Sequence, residues 1–138
     1  MALSQAEMDR KLDEHLDYEA RDDVEGVLAT LTGDVEHDIV GWPGGPARSK
    51  ADIREFYQTL FADLDHESVK SVRRLYGKNF LVDESVWSGR APGHPFGIEG
   101  KNRPLEFRLL HIVEFAENGN IARENVWLDL AAIQRQLA

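Results

Sequence analysis

The chain has 138 residues, no cysteine and a net charge of -9. This length fits one domain with its own core. Hydrophobic residues make up 42% and charged residues 30%, which excludes the disordered and membrane-embedded classes. Without cysteines, any metal would need histidine and carboxylate ligands. The negative charge argues against nucleic acid and membranes as partners, and because the N-terminal residues lack a signal-peptide pattern, we expect a cytoplasmic location.

Two helices are predicted at the start of the chain. A capping box opens at Ser4, and the apolar spacing that follows it places His15 on the buried face of the first helix. Asp22 repeats the capping pattern and predicts a short second helix, with Leu31 in its apolar stripe and Gly33 as its C-terminal stop.

A third helix is predicted after Ser49, with the strongest helical periodicity in the chain. Its apolar positions are Ile53, Phe56, Tyr57, Leu60, Phe61 and Leu64. Tyr57 is expected to pack in the core, where its hydroxyl needs a hydrogen-bond partner.

Strand patterns surround and follow this helix. Residues 34–40 alternate like a strand, and the Gly- and Pro-rich residues 41–46 predict a turn. Four further strands are predicted at 67–76, 80–88, 104–116 and 120–130. Residues 117–120 have hairpin chemistry, and residues 89–103 predict a hairpin tip or a flap over a pocket. Helices followed by an antiparallel sheet indicate the α+β class.

One histidine interrupts an apolar strand face. Alternation puts His111 on the same face as five apolar residues, which are Leu105, Phe107, Leu109, Val113 and Phe115. A buried imidazole needs partners for its nitrogens. His111 is therefore either a core histidine bonded to the backbone or part of a functional site.

Other polar positions leave alternatives open. In residues 34–40 either His37 or Asp38 points inward; alternation slightly favours His37, but a bulge beside the Gly/Pro turn would reverse the faces. Glu84 shares a face with apolar residues, whereas Asp83 lies on the other face of that strand. Asp129 is expected to cap a short C-terminal helix.

A resemblance to a known superfamily is carried by residues 35–41, 53–57 and 119–121, followed by Trp127 and Asp129. In these segments the chain resembles the nuclear-transport-factor-two-like superfamily. This superfamily includes ketosteroid isomerases and SnoaL-like polyketide cyclases. The resemblance spans nearly the whole chain as one domain, residues 1–138. It implies a cone in which N-terminal helices pack on a curved antiparallel sheet.

The resemblance to ketosteroid isomerases implies roles for four residues. Asp38 falls at the proton-shuttling base, His111 at the oxyanion-hole acid, His15 at the principal donor and Tyr57 at a supporting donor. Residues implied to contact the substrate are Trp42, Phe61, Glu84, Val86, Phe107, Val126 and Trp127.

The resemblance to polyketide cyclases is partial. His111, Trp127 and Asp129 match that pattern, but Val126 stands where the cyclases carry an acid/base aspartate. The Asp-Arg-Asp set of the related limonene epoxide hydrolases is also not found.

The function implied is cofactor-independent acid–base catalysis on a small hydrophobic carbonyl compound of polyketide, terpenoid or steroid type. Isomerase and cyclase types are both open. The alternatives are a dehydratase or epoxide hydrolase of the same fold, or a non-catalytic module for ligand binding or dimerisation. We expect no cofactor or metal. We also expect a homodimer, because relatives pack their sheets together and Leu110 and Ile112 offer an apolar face opposite His111.

Overall fold

The computed structural model describes residues 2–42 and 44–138. The first helix, α1, spans Gln5–Ala20 and begins with the predicted capping box: the Ser4 hydroxyl accepts the Glu7 N–H at 3.1 Å, and the Glu7 carboxylate reaches back to the Ser4 N–H. His15 lies on the buried face of α1, as its spacing predicts.

The second helix, α2, spans Val24–Ala29 and is shorter than predicted. Its N-cap is Asp23, whose side chain accepts the Gly26 N–H, so the prediction of Asp22 is off by one residue. Its predicted end at Gly33 is wrong. Strand β1 already begins at Leu31, which pairs with the last strand of the sheet, and that pairing overrides the local helical pattern.

The remaining elements follow the predicted order, and their bounds are β1 Leu31–Val40, α3 Lys50–Asp63, β2 Asp65–Gly77, β3 Phe80–Ala91, β4 Arg103–Phe115, β5 Ile121–Leu128 and α4 Leu130–Gln136. The strand order in the sheet is β1-β5-β4-β3-β2. Neighbours from β2 to β5 pair antiparallel, whereas β1 pairs parallel with β5. The α+β class is confirmed, with an open mixed sheet.

The connections agree with the turn chemistry of the sequence. The β4–β5 hairpin turns at Gly119, whose φ of 89° is a left-handed conformation that glycine adopts without strain. Between β3 and β4 lies a 3-10 turn, Pro95–Gly97. In the predicted turn at residues 41–46, Gly41 and Gly44 lie in turns, and Pro43 is outside the described residues. Ser49 and Asp129 cap α3 and α4 as predicted.

The core has two apolar clusters on the inner face of the sheet. One joins α1, α2 and α3 to the sheet through residues such as Leu12, Ile53 and Val113. The other joins α4 to the β3–β4 region through residues such as Trp87 and Ile133. In the part of the chain that the structure describes, no helix is long and apolar enough to cross a membrane.

Candidate functional site

A cavity of about 100 Å³ lies among α1, α3 and the inner face of the sheet. Its walls are mainly apolar and include Leu60, Phe61, Trp87, Phe107, Leu109 and Val126. Its polar lining residues are Glu19, His37, Tyr57, His66, His111 and Glu124. An apolar cavity with a few convergent polar groups is the usual form of a small-molecule site.

His37 is the residue of β1 that faces this cavity. Its side chain is 2% exposed, and its backbone N–H and carbonyl both pair with Ala47 at 2.8 Å. Its Nε2 lies 3.2 Å from the Tyr57 hydroxyl. The pairing of β1 with β5 is unbroken from residue 36 to residue 40, so simple alternation holds there. The bulge lies earlier, between residues 31 and 36.

Asp38 therefore points away from the cavity, and the expectation that it faces the substrate is wrong. Its Oδ2 lies 3.3 Å from Asn125 Nδ2 and 3.7 Å from Arg123 Nη2 on the outer face of the sheet. Asp38 and His111 are not brought into one pocket. A carboxylate in this position is paired with polar groups and is partly solvated.

His111 faces the cavity from β4, with Asp83 of β3 directly opposite in the register. Its Nδ1 lies 3.7 Å from Asp83 Oδ1. This distance allows electrostatic attraction between the two groups but is too long for a hydrogen bond. Asp83 has no exposed side-chain surface. It accepts hydrogen bonds from the Ser71 and Ser85 hydroxyls and from Arg74 Nε, the last at 2.7 Å.

Burial opposes ionisation of both partners, yet their mutual attraction prevails. Desolvation acts to raise the pKa of Asp83, but His111, Ser71, Ser85 and Arg74 together hold that pKa below its ordinary value. Desolvation acts to lower the pKa of His111, but Asp83 and then Glu124 raise it above the ordinary histidine value. His111 thus favours its protonated form.

Glu124, on β5, is the carboxylate shared by three imidazoles. Its side chain is 1% exposed, and its Oε2 lies 3.1 Å from His15 Nε2 and 3.7 Å from His37 Nε2. Its Oε1 lies 3.9 Å from His111 Nε2. Desolvation acts to raise the pKa of Glu124, but the three histidines outweigh this effect and lower it. Glu124 is therefore ionised in the folded protein.

His15 lies beneath the cavity rather than on its wall. It is fully buried, and its Nδ1 lies 2.7 Å from the Thr30 hydroxyl oxygen. Its Nε2 also lies 3.4 Å from Glu19 Oε2. Against desolvation, Glu124 and Glu19 raise the pKa of His15 to about 9. Three side chains, His15, Glu19 and Glu124, each offer one atom that could bind a metal ion. These three atoms lie within 4.8 Å of one another.

The other lining groups differ in their protonation. Burial lowers the pKa of His37, although Glu124 opposes this. Burial also raises the pKa of the Tyr57 hydroxyl well above its ordinary value, so Tyr57 stays protonated. Burial raises the pKa of Glu19 to about 7, against the attraction of His15. The cavity therefore combines an imidazole that favours its neutral form, His37, with a hydroxyl donor that keeps its proton, Tyr57.

The structure brings together part of the predicted site. Phe61, Phe107 and Val126 line the cavity with Tyr57 and His111. Four residues predicted to contact substrate lie outside it, which are Trp42, Glu84, Val86 and Trp127.

The reason differs among these four residues. Trp42 packs its ring on Phe56 and lines a neighbouring groove. Alternation along the strands puts the other three, Glu84, Val86 and Trp127, on the outer face of the sheet. Glu84 lies 3.6 Å from Arg108 there, and Trp127 is 50% exposed. Alternation decides each of these strand positions.

Sequence reasoning missed the acids of the site. Asp83 shares its face with two buried residues, Leu81 and Trp87, and that parity is visible in the sequence. Glu124 lies two residues before the cavity-lining Val126. Glu19 lies one helical turn after His15 and so shares its face.

The open α+β fold thus holds a mainly apolar cavity, with a few convergent polar groups, between its helices and its sheet. The SnoaL-like polyketide cyclase family model matches residues 6–137, and the chain belongs to this family. No curated protein sequence matches the chain at a significant level.

Solved structures show the same fold. A candidate SnoaL-like polyketide cyclase from Jannaschia sp. CCS1 is 12% identical, with a TM-score of 0.84 over 99% of this chain and 96% of that one. An NTF2-like protein from Burkholderia thailandensis E264 is 17% identical, with a TM-score of 0.73 over 94% and 95%. An LEH-like epoxide hydrolase from M. tuberculosis is 17% identical, with a TM-score of 0.73 over 96% and 90%.

Proposed function

We propose that this protein is an acid–base enzyme that removes a proton from the carbon next to a carbonyl group of a small hydrophobic molecule. The substrate is of polyketide, terpenoid or steroid type, and its reacting end occupies the cavity. The observation that carries the proposal is that two buried imidazoles, His37 and His111, line the same mainly apolar cavity. Such a pair offers a base and an acid in one place.

His37 is the proposed base, in place of Asp38. Burial favours its neutral form, which has a lone pair to take the proton. The pairing of its backbone with Ala47 fixes the residue in β1, and contact with Tyr57 orients the ring. The proton moves to His37, and the electron pair of the broken C–H bond moves to the carbonyl oxygen and forms an enolate.

His111 and Tyr57 are the proposed donors to that enolate oxygen. His111 favours its protonated form because Asp83 and Glu124 attract the positive charge. Tyr57 keeps its proton at all ordinary pH values. Losing one preorganised donor of this kind typically costs about 3–4 kcal/mol of transition-state stabilisation.

Isomerases, aldol-type cyclases and carbonyl-assisted dehydratases share this first step. In an isomerase His37 returns the proton to another carbon. In a cyclase the enolate carbon attacks a second carbonyl group, whose oxygen takes the proton from His37. In a dehydratase the enolate expels a hydroxyl group, which takes that proton and leaves as water. The Asp-Arg-Asp chemistry of an epoxide hydrolase is less well supported, because no arginine lines the cavity among the described residues.

The test measures proton abstraction without knowledge of the natural product. In D₂O, deuterium incorporation next to the carbonyl of 2-tetralone is followed by proton NMR. We expect His37→Asn to slow the enzyme-catalysed exchange by roughly 10²–10⁴-fold, the usual contribution of a general base. Asp38→Asn is the matched control, because it changes the adjacent residue on the outer face.

The roles fail if Asp38→Asn abolishes exchange while His37→Asn retains it. If the wild-type protein binds 2-tetralone and related ketones but catalyses exchange of none, the protein is a ligand-binding module and the enzymatic proposal is wrong.

A further inference from the structure

The buried cluster of His15, Glu19 and Glu124 places two carboxylates around one nitrogen of an imidazole ring. The Thr30 hydroxyl donates its only proton to the Val27 carbonyl at 2.6 Å. Its oxygen therefore accepts from His15 Nδ1, which must carry a proton. His15 Nε2 is then the position, between the Glu19 and Glu124 carboxylates, at which either a second proton or a metal ion binds.

Hydrogen bonding does not resolve this arrangement. His15 Nε2 and Glu124 Oε2 are both buried and neither has a hydrogen-bond partner, although they lie 3.1 Å apart. The contact between these two atoms is therefore an ion-pair distance without hydrogen-bond geometry. Buried polar atoms without partners are uncommon in native proteins and point to an ion or water.

The spacing of the donor atoms suits a metal ion. Bonds of about 2.0–2.1 Å to a tetrahedral zinc ion place neighbouring ligand atoms about 3.3 Å apart. His15 Nε2 lies 3.1 Å from Glu124 Oε2 and 3.4 Å from Glu19 Oε2. Glu19 is 22% exposed and has freedom to close the third side.

We propose that His15, Glu19 and Glu124 form a binding site for one divalent zinc-class metal ion at the base of the cavity. Two carboxylates and a neutral imidazole carry a charge of about -2, which a divalent ion neutralises. The Thr30 hydroxyl accepts from His15 Nδ1 and so fixes the ring tautomer, as outer hydrogen-bond partners usually do for metal-binding histidines. Three protein ligands leave a coordination position for water or a substrate oxygen.

This site contrasts with the expectation of a metal-free protein and does not depend on the proposed reaction. The test uses the 138-residue chain, treated with a chelator and titrated with CoCl₂, because Co²⁺ in such a site absorbs visible light and ZnCl₂ displaces it. We expect saturation at one equivalent of Co²⁺, with loss of the bands on adding ZnCl₂.

Two variants identify the site. Glu19→Gln removes a partly exposed ligand and should weaken Co²⁺ binding at least tenfold without unfolding the protein. Thr30→Val keeps the side-chain shape and should weaken Co²⁺ binding by about 10–100-fold, the usual effect of removing the hydrogen-bond partner of a metal-binding histidine. Glu84→Gln, which changes a carboxylate on the outer face, should leave binding unchanged. Circular dichroism checks that each variant is folded.

The proposal is overturned if the folded wild-type protein gives no saturable Co²⁺ spectrum, or if Glu19→Gln and Thr30→Val bind Co²⁺ as tightly as Glu84→Gln does. It is also overturned if ¹⁵N NMR shows His15 Nε2 protonated in the presence of excess ZnCl₂, because the cation in the cluster is then a proton only.

Discussion

Arg74 compensates the buried charge of Asp83, the carboxylate that faces His111. Replacing Arg74 tests how much this ion pair contributes to the free energy of unfolding. Arg74 is 13% exposed, and its Nε lies 2.7 Å from Asp83 Oδ2. Its other nitrogens contact Asp9 at 2.9 Å and Asp13 at 2.6 Å, whose side chains are 37% and 64% exposed. The contact with Asp83 is therefore the one that solvent screens least.

Arg74→Met keeps the length and apolar stem of the side chain but removes the charge. Breaking a buried ion pair typically costs about 3–5 kcal/mol, because the remaining charge is uncompensated. Asp83 keeps its hydrogen bonds from Ser71 and Ser85, so we expect the lower end, about 3 kcal/mol. Urea unfolding at pH 7 measures this loss of the free energy of unfolding.

The sign of the pH dependence gives a second readout. The pKa of folded Asp83 is lowered, so its ion pairing stabilises the protein above the unfolded pKa of about 3.9. That stability is lost as the pH falls through the folded pKa. The difference in the free energy of unfolding between wild type and Arg74→Met is therefore at its full value at pH 7, and it decreases as the pH falls below about 4.

Two further variants test whether Arg74 acts through the Asp83 carboxylate. Asp83→Asn removes the buried charge, so Arg74→Met should cost much less in that background. Arg54→Met breaks an exposed pair with Glu25 and should cost far less than Arg74→Met. This role of Arg74 is refuted if Arg74→Met costs no more free energy of unfolding than Arg54→Met, or if its cost is the same with and without the Asp83 carboxylate.

Two further predictions concern the inner and outer faces of the sheet. Val126→Phe should fill part of the cavity and weaken 2-tetralone binding more than tenfold by calorimetry, whereas Val86→Phe on the outer face should not; equal affinities would place the ligand elsewhere. We also propose a homodimer through the outer face, where Leu110 pairs in register with the half-exposed Trp127. Light scattering should give a dimeric mass that Leu110→Glu halves, and a monomeric wild type would exclude this interface.

Much of the fold is determined by local sequence. The apolar stripe of α3, the caps at Ser4 and Ser49, and the turn at Gly119 act over a few residues, and each forms as predicted. Alternation along β4 is equally local, and it places His111 inside. The end of α2 differs, because Leu31 pairs with Ile121, a residue far along the chain.

The site depends on tertiary structure to a greater degree. Alternation already favoured His37, but only the unbroken register with β5 excluded the bulge that would have turned Asp38 inward. Asp83 and Glu124 are acids, for which burial is costly unless partners compensate the charge. Those partners lie on other elements: Arg74 reaches Asp83 from β2, and His15 reaches Glu124 from α1.

The sequence by itself therefore determined the helices, the strands and the inward imidazole, because propensity, capping and alternation are local properties of the chain. Only the tertiary structure decided which carboxylates could be buried beside that imidazole. The free energy of a buried charge depends on groups that are brought to it from distant parts of the sequence.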